Sequence, residues 1–168
     1  EPYRRQRQMC IRDRPSIRVY IPKSNGKLRP LGIACYEDKM VQLALKKILE
    51  AIYEPRFLNC MYGFRPNRGC HDAIKELYKR LNNTKICYIV DADIKGFFDH
   101  MKHEWIIKFL YLYIKDPNII GLVKKYLKVG VIDGGELMMN EEGSAQGNII
   151  SPILANIYMH NVLTLWYK

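Results

Sequence analysis

The stretch IVDADIKGFFD at residues 89–99 is the most informative part of this chain, because it joins an apolar run to a carboxylate, a glycine turn and two adjacent aromatic residues. The overlapping run KICYIV at residues 85–90 is rich in β-branched and aromatic residues and predicts a buried strand. Asp93 follows that strand, so its carboxylate would be held by a rigid element rather than by a mobile loop.

A rigidly held carboxylate at this place has two interpretations. Asp93 could ligate a divalent cation, and phosphoryl-transfer sites hold two such cations about 4 Å apart to stabilise the attacking and the leaving oxygens. Alternatively, Asp93 could end the strand and cap the following turn. This stretch taken alone does not separate the two interpretations.

The chain is basic and has the size of one domain, or of one intact part of a larger domain. Its 168 residues are 48% hydrophobic and carry a formal net charge of +10. Such a charge favours a polyanionic partner, most commonly nucleic acid, although a basic protein without such a partner is the alternative. No apolar run approaches the ~20 residues that span a bilayer. The five cysteines form no CxxC pair, and their odd number predicts reduced thiols and a cytoplasmic location.

Residues 1–14 differ in character from the rest of the chain. They contain five arginines and two acidic residues but show no hydrophobic periodicity. The stretch MCIRD at residues 9–13 is also what one reading frame of a widely used sequencing-library transposon end encodes. We therefore expect residues 1–14 to be a disordered or non-native leader, with a basic RNA-gripping arm as the alternative.

The remaining sequence alternates strand and helix patterns. Two β-prone runs, 18–22 and 29–33, flank an Asn-Gly turn and predict a hairpin, and a second hairpin is predicted at 129–139. Apolar periodicity, capping residues and prolines predict helices at 39–53, 67–81, 102–114, 117–127 and 149–167. The pattern predicts an α/β (α+β) fold.

Four segments in this order resemble the reverse transcriptase/maturases encoded by group II introns. They are IPKSNGKLRPLGI at 21–33 followed by EDKMVQ at 37–42, YGFRPNRGCHDAI at 62–74, the 89–99 stretch, and GSAQGNIISPILANIY at 143–158. The resemblance implies the fingers and an incomplete palm of a right-hand polymerase, with fingers at 15–84 and palm at 85–168.

The resemblance also implies roles at the catalytic centre. Asp93 would ligate both Mg²⁺ ions, and the backbone carbonyl of Ile94 would complete one coordination sphere. Lys23 and Arg29 would close over the incoming triphosphate, where a planar guanidinium can hold two phosphate oxygens; either could instead be a solvated surface charge. Phe98 would lie beneath the sugar and exclude a 2′-hydroxyl, whereas core packing is the alternative for one of Phe97 and Phe98.

Further residues would contact the nucleic acid. Gln146 would approach the nucleotide and template, and Gly147 would permit close backbone contact, although this chain has Ala145 where the family commonly has proline. Arg65 and Arg68 would lie near the template path or pair with Asp99 or Asp72. Asn156, on the exposed side of the last helix, would meet the minor groove of the primer–template duplex.

The family takes two further aspartates from a Tyr-x-Asp-Asp hairpin, and no Asp-Asp pair occurs in this sequence. We therefore expect the chain alone to be inactive, as part of an RNA-directed DNA polymerase whose partners are intron RNA template, DNA primer and dNTPs. The alternatives are an RNA-binding maturase module without a polymerase role, and a retron-like or diversity-generating reverse transcriptase. The sequence leaves open whether the chain forms a homodimer.

Overall fold

A computed structural model of the chain describes residues 15–22, 26–139, 142–144 and 147–167. Its helices are α1 Tyr36–Tyr53, α2 Cys70–Asn83, α3 His103–Tyr111, α4 Pro117–Lys128 and α5 Ser151–Met159. Its strands are β1 Ser16–Pro22, β2 Leu28–Ile33, β3 Val131–Asp133 and β4 Glu136–Met138. Short 3₁₀ turns cover Glu54–Arg56 and Phe97–Asp99, and a π-helical turn, His160–Thr164, continues α5. The predicted α/β class is confirmed.

The four strands form one sheet in the order β2-β1-β3-β4. Strands β1 and β2 pair antiparallel, with Ile21 opposite Arg29, and form the hairpin that the Asn-Gly turn predicted. The second predicted hairpin is the antiparallel pair β3 and β4. Because β1 and β3 pair in parallel, with Ser16 opposite Val131, the two hairpins join into a single mixed sheet.

The hydrophobic core lies among four helices rather than against the sheet. Helices α1, α3, α4 and α5 contribute most of its buried side chains, which include Leu49, Ile106, Leu110, Val123 and Leu154. The apolar periodicity that predicted a helix at 39–53 also predicted a stripe that faces the core, at residues 41, 44, 45, 48, 49 and 52. This prediction is partly right, because Leu45 and Leu49 are buried while Ile48 is exposed. At about 25 cal/mol per Å² of apolar area, burial of these side chains is the main term that stabilises the fold.

Helix α5 is buried on almost every side. Pro152 occupies its first turn, as the sequence predicted, but six consecutive or near-consecutive residues between Ser151 and Ile157 are buried. A helix that is apolar all round lies inside a protein, whereas an amphipathic helix lies at its surface. The expectation of a long amphipathic helix is therefore wrong in character, although the helix itself is present.

The segment that was predicted as a buried strand is the largest departure. Residues 85–94 form neither strand nor helix, and every one of them is exposed. Tyr88, Ile89 and Val90 keep 89%, 69% and 83% of their surface exposed. A strand needs a hydrogen-bonded neighbour and a covered face, and the described residues place neither beside this segment. The prediction of a buried strand that ends at Asp93 is wrong for this structure.

Helix α2 begins at Cys70 rather than at residue 67. Asn67 has a φ of 58°, in the left-handed region, so the chain turns there before the helix begins. The side chain of Asp72 accepts a hydrogen bond from the backbone N–H of Gly69 at 3.0 Å and caps the helix. Asp72 therefore contacts the helix start and does not pair with an arginine.

Among the described residues, no helix is long and apolar enough to cross a membrane. Within the described residues, Cys35, Cys60, Cys70 and Cys87 form no disulfide, and reduced thiols stay a prediction. Residues 1–14 lie outside the described part of the chain, so the prediction of a disordered or non-native leader stays a prediction.

Candidate active site

The loop before α5 contacts the β1–β2 hairpin at Gly147. This residue has a φ of 115°, and a methyl group built on it would lie 2.4 Å from the carbonyl oxygen of Gly32 on β2. Only glycine allows the two backbones to approach this closely. The first and last of the four family-like segments therefore meet at the pair Gly32 and Gly147.

The same loop contacts the turn that follows Asp93. The backbone N–H of Ser144 donates to the carbonyl of Phe98 at 2.8 Å, and the N–H of Gly143 donates to the carbonyl of Met101 at 2.8 Å. A methyl group on Gly143 would lie 2.6 Å from the carbonyl oxygen of Asp99. These contacts join the third and fourth segments directly.

The second segment joins the same cluster through an aromatic ring and an amide. The ring of Phe64 meets the ring of Phe98 edge to face at 6.3 Å. The side-chain amide of Asn156 donates to the carbonyl of Gly63 at 2.8 Å. All four segments therefore converge, although they are spread over residues 21–158 of the sequence.

Two buried polar contacts fix the loop onto the helices. The backbone N–H of Ile149 donates to Oε1 of Gln42 at 2.9 Å, and Gln42 is itself buried within α1. The hydroxyls of Ser144 and Ser151 lie 2.6 Å apart in a buried pair. Sequence reasoning did not single out Gln42 or this serine pair, although all three residues lie inside the family-like segments.

Asp93 lies four residues before the Phe97–Asp99 turn that belongs to this cluster. Its side chain is exposed, and within the described residues it contacts no cation and accepts no hydrogen bond. The described part of the chain contains no cluster of three or more His, Cys, Asp or Glu residues that could hold a metal ion. A carboxylate and the neighbouring backbone carbonyl of Ile94 are oxygen donors of the kind that Mg²⁺ prefers. They fit one part of a magnesium coordination sphere but do not complete it.

The two aromatic residues after Asp93 have different neighbours. Both are half-buried against the helical core, and Phe97 contacts the ring of Tyr158 on α5 at 6.0 Å. Phe98 contacts Phe64, which lies outside the helices, whereas the Tyr158 neighbour of Phe97 lies on α5. The expectation that one of the two serves only the core suits Phe97 better than Phe98.

Arg29 lies exposed on β2, opposite Ile21 of β1. Its guanidinium forms no ion pair within the described residues, so it is free to meet an anion. Lys23 and Gln146, the other two residues expected to contact the nucleotide, lie outside the described residues.

Asp133, on the β3–β4 hairpin, forms hydrogen bonds with side chains of β1, the strand that pairs with the Arg29 strand β2. Asp133 accepts a hydrogen bond from the hydroxyl of Tyr20 at 2.6 Å and one from Nη1 of Arg18 at 3.2 Å. The hydrogen bond from Tyr20, followed by the charge and hydrogen bond of Arg18, lowers the pKa of Asp133. The same hydrogen bond raises the pKa of Tyr20. These contacts connect β1 to β3.

Arg65 is a buried structural residue. Its side chain is 4% exposed and pairs with Glu54 at 2.8 Å. Its Nη1 donates to the carbonyls of Leu58 and Met61 at 2.8 and 2.9 Å. The expected partners Asp99 and Asp72 are wrong, because Glu54 occupies that role. Glu54 follows α1 directly, and no sequence pattern had marked it.

Arg68 and Asn156 also differ from expectation. Arg68 donates to the carbonyl and to Oδ1 of Asn59, both at 2.9 Å, rather than pairing with an aspartate. It nevertheless keeps a partly exposed guanidinium. Asn156 is 9% exposed and faces Gly63, so its placement on the exposed side of the last helix is wrong. The reason is the burial of α5 on all sides.

Comparison with known proteins agrees with these four segments. A family model described as reverse transcriptase (RNA-dependent DNA polymerase) matches residues 21–168. The group II intron-encoded protein LtrA of Lactococcus lactis subsp. cremoris is 42% identical over 149 residues, which are 88% of this chain and 24% of LtrA. Protein YkfC of Escherichia coli (strain K12) is 40% identical over 149 residues, which are 87% of this chain and 39% of YkfC.

A plant relative extends the comparison. Nuclear intron maturase 1, mitochondrial, of Arabidopsis thaliana is 30% identical over 108 residues, which are 62% of this chain and 15% of that protein. The chain spans about a quarter of the length of LtrA. The resemblance to group II intron reverse transcriptases and maturases is confirmed by these matches. The family model matches most of the chain, and the four segments converge in the structure. The chain therefore belongs to the reverse transcriptase (RNA-dependent DNA polymerase) family.

Proposed function

We propose that this chain forms the fingers and part of the palm, divided near residue 84, of an RNA-directed DNA polymerase that a group II intron encodes. The convergence of Gly32, Phe64, Phe98, Ser144 and Gly147 carries the proposal, because it gathers four distant segments around the turn after Asp93. The family match supports the chemistry. Intron RNA template, DNA primer and dNTPs are the proposed partners.

Asp93 is the proposed catalytic residue. Its exposed carboxylate and the carbonyl of Ile94 would hold Mg²⁺, which would stabilise charge on the reacting phosphate oxygens. One carboxylate alone does not complete the coordination of two cations, and the 168 residues contain no Asp-Asp pair. We infer that activity needs carboxylates from protein beyond these residues, and that the chain alone does not polymerise. A cytoplasmic location stays a prediction.

The proposed nucleotide contacts are Arg29 and Phe98, together with Lys23 and Gln146, and Gly147 is a proposed nucleic-acid contact. Arg29 is exposed and unpaired within the described residues, as a ligand for triphosphate must be. Gly147 lies against Gly32 of β2, the strand that also carries Arg29. We do not propose Arg65 or Asn156 as direct nucleic-acid contacts. Their polar groups are buried, and they bind Glu54 and the carbonyl of Gly63, respectively.

The experiment is primer extension by a longer protein that contains this chain, on an RNA template with Mg²⁺ and dNTPs. We expect DNA products that disappear when Mg²⁺ is chelated. Splicing of the intron RNA without any DNA product would favour the second candidate, a maturase that binds RNA without a polymerase role. The names of the relatives, which include an intron maturase, are the observation behind that candidate.

Phe98 gives a sharper test of nucleotide selection. We expect Phe98→Val in the longer protein to raise incorporation of ribonucleotides relative to deoxyribonucleotides by about tenfold or more, because a smaller side chain makes room for a 2′-hydroxyl. Phe97→Val is the matched control, since Phe97 contacts Tyr158 instead of Phe64. Equal ratios for the wild type and Phe98→Val would contradict the role.

A further inference from the structure

Two grooves flank the last turns of α4 and share Lys124 and Lys128 in their walls. One groove, of about 370 Å³, lies between α3 and α4 and is floored by Ile107 and Leu127. The other, of about 480 Å³, lies between α4 and the β3–β4 hairpin and also contains Lys125. The two grooves therefore run along either side of one basic ridge.

The ridge is strongly positive. Lys124, Lys125 and Lys128 are exposed, and within the described residues no acidic side chain pairs with any of them. One acidic residue, Glu104, lies nearby, and it pairs with Lys108 at 2.6 Å. The helix dipole stabilises a cation in a last turn by only about 0.3–1 kcal/mol. A cluster of three unpaired lysines thus calls for an anionic partner.

Half-exposed aromatic rings lie beside Lys124 and beside Lys108, which also lines the groove between α3 and α4. Nζ of Lys108 lies 4.5 Å from the ring centroid of Trp105, and Nζ of Lys124 lies 5.7 Å from that of Tyr111. Trp105 and Tyr111 remain 48% and 51% exposed. Exposed rings beside cations are the arrangement that binds single-stranded nucleic acid, because bases stack on the rings while the cations neutralise phosphates. An acidic peptide would use the lysines but not the rings.

The groove between α3 and α4 ends at the candidate active site. His103 lines this groove, and its Nε2 donates to the carbonyl of Gly143 at 2.5 Å. Gly143 belongs to the loop that contacts Phe98 and Asp99. A single strand of nucleic acid that followed the groove would therefore arrive at the loop of the candidate active site.

We propose that Lys108, Lys124, Lys125 and Lys128, with Trp105 and Tyr111, form a second surface for single-stranded RNA outside the polymerase cleft. The choice of a polyanion rests on the charges and rings. The choice of RNA rests on the proposed function. The surface would hold RNA that enters or leaves the active site past His103.

The test measures binding of a fluorescein-labelled, unstructured RNA of about 20 nucleotides by fluorescence anisotropy over a series of salt concentrations. The variant replaces Lys124, Lys125 and Lys128 with glutamine. Its matched control replaces Lys75, Lys79 and Lys85, which are also exposed, so that both proteins lose the same charge. Unchanged thermal unfolding verifies that each variant is folded.

We expect the ridge variant to bind about tenfold more weakly and its salt dependence to flatten by about 2 in the slope of log K against log salt, since each phosphate contact to a single strand contributes about 0.7. The control should keep most of its slope. Equal losses of RNA affinity in the ridge variant and in the control would contradict the proposed RNA surface. The proposal would also be contradicted if polyglutamate competed for binding as well as unlabelled RNA does.

Trp105 supplies an independent readout. In a Trp166→Phe background, where Trp105 is the remaining tryptophan, RNA should quench the fluorescence. Unchanged fluorescence at saturating RNA would contradict stacking on this ring. Both measurements read binding rather than DNA synthesis, so loss of RNA binding in the ridge variant would support the surface even if primer extension failed.

Discussion

The helical core and the segment at residues 85–94 differ sharply within one chain. Leu49, Ile106, Leu110 and Leu154 are fully buried among four helices, whereas Tyr88 and Val90 keep more than four fifths of their surface exposed. The core has the packing that holds a fold, and the exposed segment carries the carboxylate on which the proposed chemistry depends. Burial of apolar side chains therefore stabilises the core and contributes little to the segment that carries Asp93.

The largest expected effect is on stability. Leu154→Ala removes a fully buried side chain from α5 and should lower the free energy of unfolding by about 2–5 kcal/mol. Val90→Ala, in the exposed segment, should change it by no more than about 0.5 kcal/mol. Urea unfolding followed by circular dichroism measures both. A loss at Val90 as large as that at Leu154 would mean that the segment is covered.

A smaller effect is expected at the arginines of the second segment. Arg65→Ala should lower the free energy of unfolding by about 3 kcal/mol, because it leaves Glu54 and two backbone carbonyls without their partner. Arg68→Ala should cost less than about 1 kcal/mol, since its contacts to Asn59 are exposed. The same unfolding experiment decides; similar losses at both positions would contradict the structural role of Arg65.

The smallest effect concerns pH. His160 is buried against Phe57, and burial followed by the charge of Arg65 lowers its pKa. His160 therefore binds a proton less readily in the folded state than in the unfolded state. Stability should be complete above the unfolded pKa of about 6.5 and fall as the pH decreases below it. His160→Gln should flatten the dependence between about pH 7.5 and 5.5.

The sequence predicted those elements whose signals are local. The Asn-Gly turn predicted the first hairpin, the prolines marked the starts of α4 and α5, and the apolar stripe of α1 identified Leu45 and Leu49. It failed where the outcome depends on distant partners. The run at 85–90 has the composition of a strand, but composition does not supply a neighbouring strand.

The candidate site shows the same division. The resemblance singled out the segments that converge, including Phe98 and Gly147. It misplaced Asn156, because the burial of α5 depends on three other helices, and it missed the Glu54 partner of Arg65, because ion pairing across eleven residues has no sequence signature. Packing partners, rather than residue types, were the missing information.

The most direct test of the account is the single-turnover rate of nucleotide addition by the longer protein, at saturating primer–template and Mg²⁺. Asp93→Asn should lower that rate by at least about a hundredfold, because it removes a proposed ligand of the catalytic metal ions. Asp91→Asn, an equal loss of charge two residues earlier in the same exposed segment, should leave the rate within about threefold. Equal rates for Asp93→Asn and the wild type would contradict the account.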